Sequence, residues 1–334
     1  MMKKLFLFFV AVLMVSMTAN AITINKALLQ HNGEVTLFEG SNIQDAVNAA
    51  VDGDTIYLTL GTFKPFTINK KITVRGTGEK SIINGDVTIN IPGTQNLTST
   101  ILEALAVTGS VTLSSNVTNL TLHKCKILGA LSLSGNVTEG NIKKCKIGTM
   151  TFGGSIDNLF VDRCYITSKL TLSPTITGMT VVNTKLYSLN ANQNATNNTT
   201  FVNCNIYDLY AGNYAGTIIN SIIQRYANTE TTINSTVLLN TVINTYYLSI
   251  GSSSVTQNCY YVNNTRTYVT SSCECTPNSS FVGTDGTIVG IYGGDTPYSE
   301  EEMLVPSVPK VTSSDLDLDN ENKVLNVKLT VSPQ

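Results

Sequence analysis

"HKCKILGALSLSG" (residues 123–135) is followed by "KKCKIGTMTFGGS" (residues 143–155), the same phrase twenty residues on. Taking Cys125 as a register mark, the equivalent positions downstream are Cys145, Cys164, Thr184, Cys204, Ser221, Thr241 and Cys259, and Leu105 extends the column upstream. Two residues after the marks come Ile127, Ile147, Ile166, Leu186, Ile206, Ile223, Ile243 and Tyr261. Each period holds three short runs that alternate apolar and polar residues, such as "NLTLHK" before the mark and "ALSLSG" after it. Period-two alternation marks strands, and three strands of three to five residues cannot bury a core alone. They can when each pairs in parallel with its counterpart one turn away, so that inward side chains stack. The reading is an all-β fold, a single-stranded right-handed parallel β-helix. It has three strands per rung, rungs of roughly 20 residues, and about twelve rungs between Thr55 and Gly290. A leucine-rich repeat needs a frame this chain lacks, and a β-sandwich needs no fixed twenty-residue period.

The residue before each mark changes along the chain, from Lys124, Lys144 and Arg163 to Asn183, Asn203, Asn220, Asn240 and Asn258. Asparagine tolerates left-handed backbone, and a stack of its amides predicts an asparagine ladder at a turn. The cysteine column is expected to point inward, buried and reduced.

"GSNIQDAVNAAVDGDTIYLTLGTF" (40–63) reads as a short helix capping the first end of the coil. Asn42 is its expected N-cap with Asp45 as partner, and Ile43, Ala46, Val47 and Ala50 form its apolar stripe. Residues 1–21 have the three parts of a secretory signal peptide: Lys3 and Lys4, the apolar run Leu5 to Val15, and Ala19-Asn20-Ala21 before the cleavage point. The mature chain has no second apolar run of the ~20 residues a membrane helix needs, so the expectation is an exported protein, extracellular, cell-surface or periplasmic. Residues 22–302 form the β-helix and its cap. Residues 303–334 are expected as an extended tail in which "KVLNVKLTV" is a lone capping strand.

Charged residues make up only 13% of the chain and the net charge is -2. That excludes a flexible polyelectrolyte and gives no general pull toward nucleic acid. Against this background His123, Lys124, Lys126, Lys143, Lys144, Lys146, Arg163 and Lys185 concentrate positive charge over four rungs. Lys124, Lys126, Lys144, Lys146, Arg163 and Lys185 are the candidate strip for an acidic polysaccharide, with Lys126, Lys146 and Lys185 expected to face outward; edge protection is the other reading. A tyrosine group from Tyr187 to Tyr261 offers rings for sugar faces, or simply β-propensity. "CEC" at 273–275 is expected to form a disulfide to Cys259 or to stay as free thiols. The Asn-x-Ser/Thr triplets read as turn-plus-strand composition. No cofactor or metal is implied.

The pairing of "IQDAVNAAVDGDTIYLTLGTF" with "ITVRGTG" (72–78) and then three-strand rungs resembles the pectate-lyase-like right-handed β-helix superfamily. With "IYGG..P" (291–297) and "VPSVPKVT" (305–312), the chain is similar to predicted secreted β-helix proteins of Bacteroidetes across residues 38–334. The resemblance implies fold more than activity, because the superfamily holds lyases, hydrolases, esterases and non-catalytic adhesive members. Their catalytic patterns are not found here. The arginines after the leader are 75, 163, 225 and 266, with no acidic group of three one or two rungs away, and no Asp-Asp pair occurs. Asp157 and Asp162 are the residual carboxylate pair for glycoside hydrolysis. Two functional readings stand: a non-catalytic polysaccharide-binding, structural or adhesive rod, and a polysaccharide lyase or glycoside hydrolase with a non-standard site. Oligomeric state is not legible.

Overall fold

The computed structural model describes residues 25–93, 95–96, 101–173, 176–191, 198–210, 214–226, 229–263, 268–303, 310–319 and 324–332. The signal-peptide reading of residues 1–21 falls outside them. The chain is an all-β, right-handed parallel solenoid of about nine turns with almost no helix. Ile56, Val74, Leu102, Leu122, Ile142, Val161, Val181, Phe201, Ile218 and Leu238 are successive parallel partners along the first sheet. All ten are buried. Burying one such side chain contributes about 1.5–3 kcal/mol, and each does so only because the turns on either side cover it.

The second sheet carries the column predicted after the marks, from Ile127 through Ile147, Ile166, Leu186, Ile206 and Ile223 to Ile243. These are buried, whereas Tyr261, next in register, is exposed. The strand Lys126–Leu133 shifts register between Ile127 and Ala130, which turns its second half into a third wall that pairs Leu131 with Val111 and Met150.

The marks themselves do more than fill space. Cys125, Cys145, Cys164 and Cys204 are fully buried free thiols, as the column predicts. Each donates to the carbonyl two residues before it at 3.3–3.4 Å, and Thr184, Ser221 and Thr241 do the same at 2.8–2.9 Å. Each side chain can also accept the main-chain N–H of an earlier mark: Cys125 N donates to Cys145 Sγ, Cys164 N to Thr184 Oγ1 and Cys204 N to Ser221 Oγ. A small side chain that both donates and accepts is what the position requires, so cysteine, threonine and serine interchange there. Stacked parallel side chains rarely reach disulfide torsion. Alkylation under denaturing conditions followed by intact-mass analysis should therefore label all four cysteines, and four unlabelled cysteines would contradict the thiol column.

The residues before the marks occupy one backbone state. Ala104, Lys124, Lys144, Arg163, Asn183, Asn203, Asn220, Asn240 and Asn258 all have φ between 44° and 54°. This left-handed corner is what the asparagines were read to supply.

The first end holds a hairpin not read from the sequence. Lys26–His31 pairs antiparallel with both Glu34–Glu39 and Thr55–Leu58. The helix Gln44–Ala49 follows, with Ile43, Ala46, Val47 and Ala50 buried as predicted. Its N-cap differs from expectation. Ile43 holds that position without a side-chain bond, because Asn42 Nδ2 donates to Asp45 Oδ2 at 2.9 Å instead of the two bonding main chain.

The coil does not continue to Gly290 in about twelve rungs. Its last parallel strands are Val255–Gln257 and Tyr260–Val262. The tail differs too: Val324–Ser332 is not alone but pairs antiparallel with Lys310–Asp319 in a separate two-stranded sheet. The alternation of "SSDLDLD" is the partner's signal.

Candidate functional site

After the last turn, residues 268–303 run back along the outside of the coil as a strap. Val269 N and O bond the side-chain amide of Gln224, and Asn205 Nδ2 donates to Cys273 O at 3.0 Å. The strap then reverses near Phe281, which packs on Tyr260, and descends along the asparagine column. Asn240 Nδ2 donates to Val282 O, Asn220 and Thr284 exchange two bonds at 2.8 and 3.1 Å, and Asn183 Nδ2 donates to Ile291 O and Gly293 O. The sequence predicts amides bonded to one another along the column. Its amides bond the strap instead, because the strap's main chain needs donors and acceptors once it is buried against the coil.

The strap decides the fate of the cationic strip. Its glutamates lie on the lysines: Lys144 Nζ is 2.6 Å from Glu302, Lys146 Nζ is 3.6 Å from Glu300, and Lys185 Nζ bonds Glu274 and, at 3.0 Å, Glu300. Arg163 is held by Asp162 at 2.8 Å and by Glu302 at 3.9 Å. Lys126 pairs with Glu79 at 2.5 Å. Lys124 sits beside Lys144; burial, and then that like charge, lowers its pKa. The expectation that Lys185 faces solvent is corrected. It points out of the coil but is only 1% exposed, beneath the strap and 4.4 Å from the Tyr298 ring centroid. The strip is real as a row of charge, and the protein's own carboxylates answer it.

Apolar packing fixes the strap as well. Val269, Cys273, Cys275 and Val289 form a second core with Tyr207, Ile222 and Val242 on the outer face of the second sheet, and Ile291, Tyr298 and Met303 form a third. The three late cysteines, 259, 273 and 275, are free thiols, which answers the disulfide alternative. Cys275 Sγ instead accepts from Asn205 Nδ2 at 3.3 Å. The sequence signal for the strap was the acidic run Glu300–Glu302 set against the cations, within the glycine- and aromatic-rich stretch from Phe281.

Asp157 is the second residue and Asp162 the last of one strand, Ile156–Asp162. The left-handed residue Asn158 (φ 56°) bends the strand between them. Two carboxylates that work on one glycosidic bond must face each other across it, whereas Asp157 accepts a hydrogen bond from Thr177 on the next turn. Asp162 is buried and committed to Arg163. Elsewhere on the first sheet, Glu103 lies between His123 at 3.6 Å and Arg75 at 2.8 Å. The bond with His123 and the charge of Arg75 outweigh burial and hold its carboxyl below the ordinary range.

The tyrosines divide. Tyr207 and Tyr214 are buried, and Tyr187, Tyr207 and Tyr226 follow one another at ring distances of 5.2 and 4.8 Å. Tyr210, Tyr226, Tyr246 and Tyr261 keep exposed faces.

The concave feature sequence reasoning missed is a groove of about 330 Å³ on the outer face of the first sheet. Phe160, Thr180 and Thr200 are in register across three turns, and Asn158, Gly178 and Asn198 lie beside them. Lys143 Nζ stands 5.5 Å from the Phe160 ring centroid. Residues on three turns meet here through stacking, and their order in sequence is unremarked by any motif.

No family model, curated protein or solved structure matches this chain. Among the described residues, no three potential metal ligands come together, and no helix is long and apolar enough to cross a membrane.

Proposed function

We propose that the protein is a non-catalytic rod that binds polysaccharide along the outer face of its first sheet. The groove at Phe160 carries this reading. A half-buried aromatic ring flanked by the amides of Asn158 and Asn198 and the hydroxyls of Thr180 and Thr200 suits a pyranose, whose C–H face rests on a ring while its hydroxyls bond polar groups. Lys143 beside the ring favours an acidic sugar. The groove replaces the strip of Lys124, Lys126, Lys144, Lys146, Arg163 and Lys185 as the site, since the protein's own carboxylates already engage its cations, Lys126, Lys144, Lys146, Arg163 and Lys185 in direct ion pairs. The commitment of Asp162 to Arg163 favours binding over the enzymatic alternative. Export by a signal peptide at residues 1–21, a pectate-lyase-like ancestry shared with secreted β-helix proteins of Bacteroidetes, and a capping role for the helix Gln44–Ala49 belong to the same reading.

Titration calorimetry against a panel of acidic and neutral oligosaccharides tests it. Binding by the parent should weaken about tenfold in Phe160→Ala, the scale of one lost aromatic contact, and the oligosaccharides should keep their length on incubation. Equal binding by parent and variant would remove the groove from the function, and shortening of the oligosaccharide would favour the enzymatic alternative.

A further inference from the structure

The first sheet ends at both sides in an exposed strand, and the two strands match. At the first end the outermost strand is Glu34–Glu39. It is antiparallel to Lys26–His31, which is antiparallel to Thr55–Leu58, so two reversals give it the direction of the turns. Its phase is also that of a turn. Thr36 pairs with Leu29, and Leu29 with Ile56, the first residue of the buried column. At the last end Thr256 pairs with Leu238 and continues the same column.

Both ends therefore write nearly the same phrase in the same direction and phase: Val35-Thr36-Leu37 and Val255-Thr256-Gln257. Thr36 and Thr256 are exposed, although the column between them is buried throughout. Val35, Leu37 and Val255 are exposed by 60%, 47% and 59%. A strand edge with apolar side chains is a template for another strand, and the last turn of a second copy meets this one in direction, phase and residue type.

We propose that copies of the chain stack end to end, the last turn of one pairing in parallel with Glu34–Glu39 of the next. Val255 then lies on Val35, Thr256 on Thr36 and Gln257 on Leu37, and the inward column runs on from one molecule to another. The joined surfaces differ, so the contact does not close on itself and the stack grows with concentration. Three paired residues make a small contact, so association is weak.

Sedimentation of the full exported chain across a wide concentration range tests this with two variants, Leu37→Lys and Val255→Lys. Both positions are exposed, and circular dichroism melting should match the parent. The parent should form a series of oligomers, and each variant alone should stay monomeric, because one blocks every first end and the other every last end. Mixing the two variants should give dimers and nothing larger, since one open end of each kind remains. A parent monomeric at every concentration, self-association of Val255→Lys alone, or a mixture that stays monomeric would each overturn the proposal.

Discussion

Lys185→Met should loosen the strap and lower the unfolding free energy by about 2–3 kcal/mol. Lys185 is buried, and its ammonium bonds Glu274 and Glu300 while Tyr298 covers it. Breaking a buried pair by removing one partner costs about 3–5 kcal/mol. Here the glutamate side chains are 38% and 56% exposed and regain water, which keeps the loss below that range. The methionine keeps most of the apolar contact with Tyr165 and Tyr298. Denaturant unfolding reads the energy, and limited proteolysis reads the strap, where cleavage near Glu300 should speed up. Unchanged unfolding and cleavage would mean that the apolar packing of Ile291, Tyr298 and Met303 holds the strap unaided.

The same contacts set an acid limit. Burial works to raise the Glu300 carboxyl, and Lys185 and Lys146 outweigh it, leaving its pKa below the ordinary value. At Glu302 the bond from Lys144 and its charge lower the pKa directly. A carboxylate lowered in the folded state contributes its stability above the unfolded pKa of about 4.3 and loses it as pH falls through the folded value. The strap of the parent should therefore become protease-sensitive below that pH, and that acid step should be smaller in Lys185→Met.

Asn183→Ala should destabilise by about 2–5 kcal/mol through two separable terms. The residue sits at φ 44°, where alanine costs roughly 1–2 kcal/mol more than a residue suited to left-handed backbone. Its amide also satisfies Ile291 O at 3.2 Å and Gly293 O at 2.8 Å, and losing each bond costs about 0.5–1.5 kcal/mol. Asn183→Gly restores the backbone term alone, so its stability should fall between those of parent and alanine variant. A glycine variant as stable as the parent would mean that the amide contributes nothing to holding the strap.

The coil is legible in the sequence. A stacked rung repeats its inward and corner requirements every turn, so the columns at Cys125, at Ile127 and at the residue before each mark could be counted off and agree with the register. The side chains at the marks were assigned to packing alone, whereas they also relay main-chain hydrogen bonds, a role visible only once two turns are superposed. The hairpin Lys26–His31 and Glu34–Glu39 left no such repeat and was missed. What lies on the coil is set by long-range contacts. The strap comes back from residues 268–303 to meet Lys144, Lys185 and Asn183, sequence separations of about a hundred residues or more for which no period exists. Likewise the groove at Phe160 draws on three turns whose outward residues no inward column constrains. Periodic burial is written into local text because every turn solves the same packing problem. The outer surface is solved once, by whichever distant segment folds onto it.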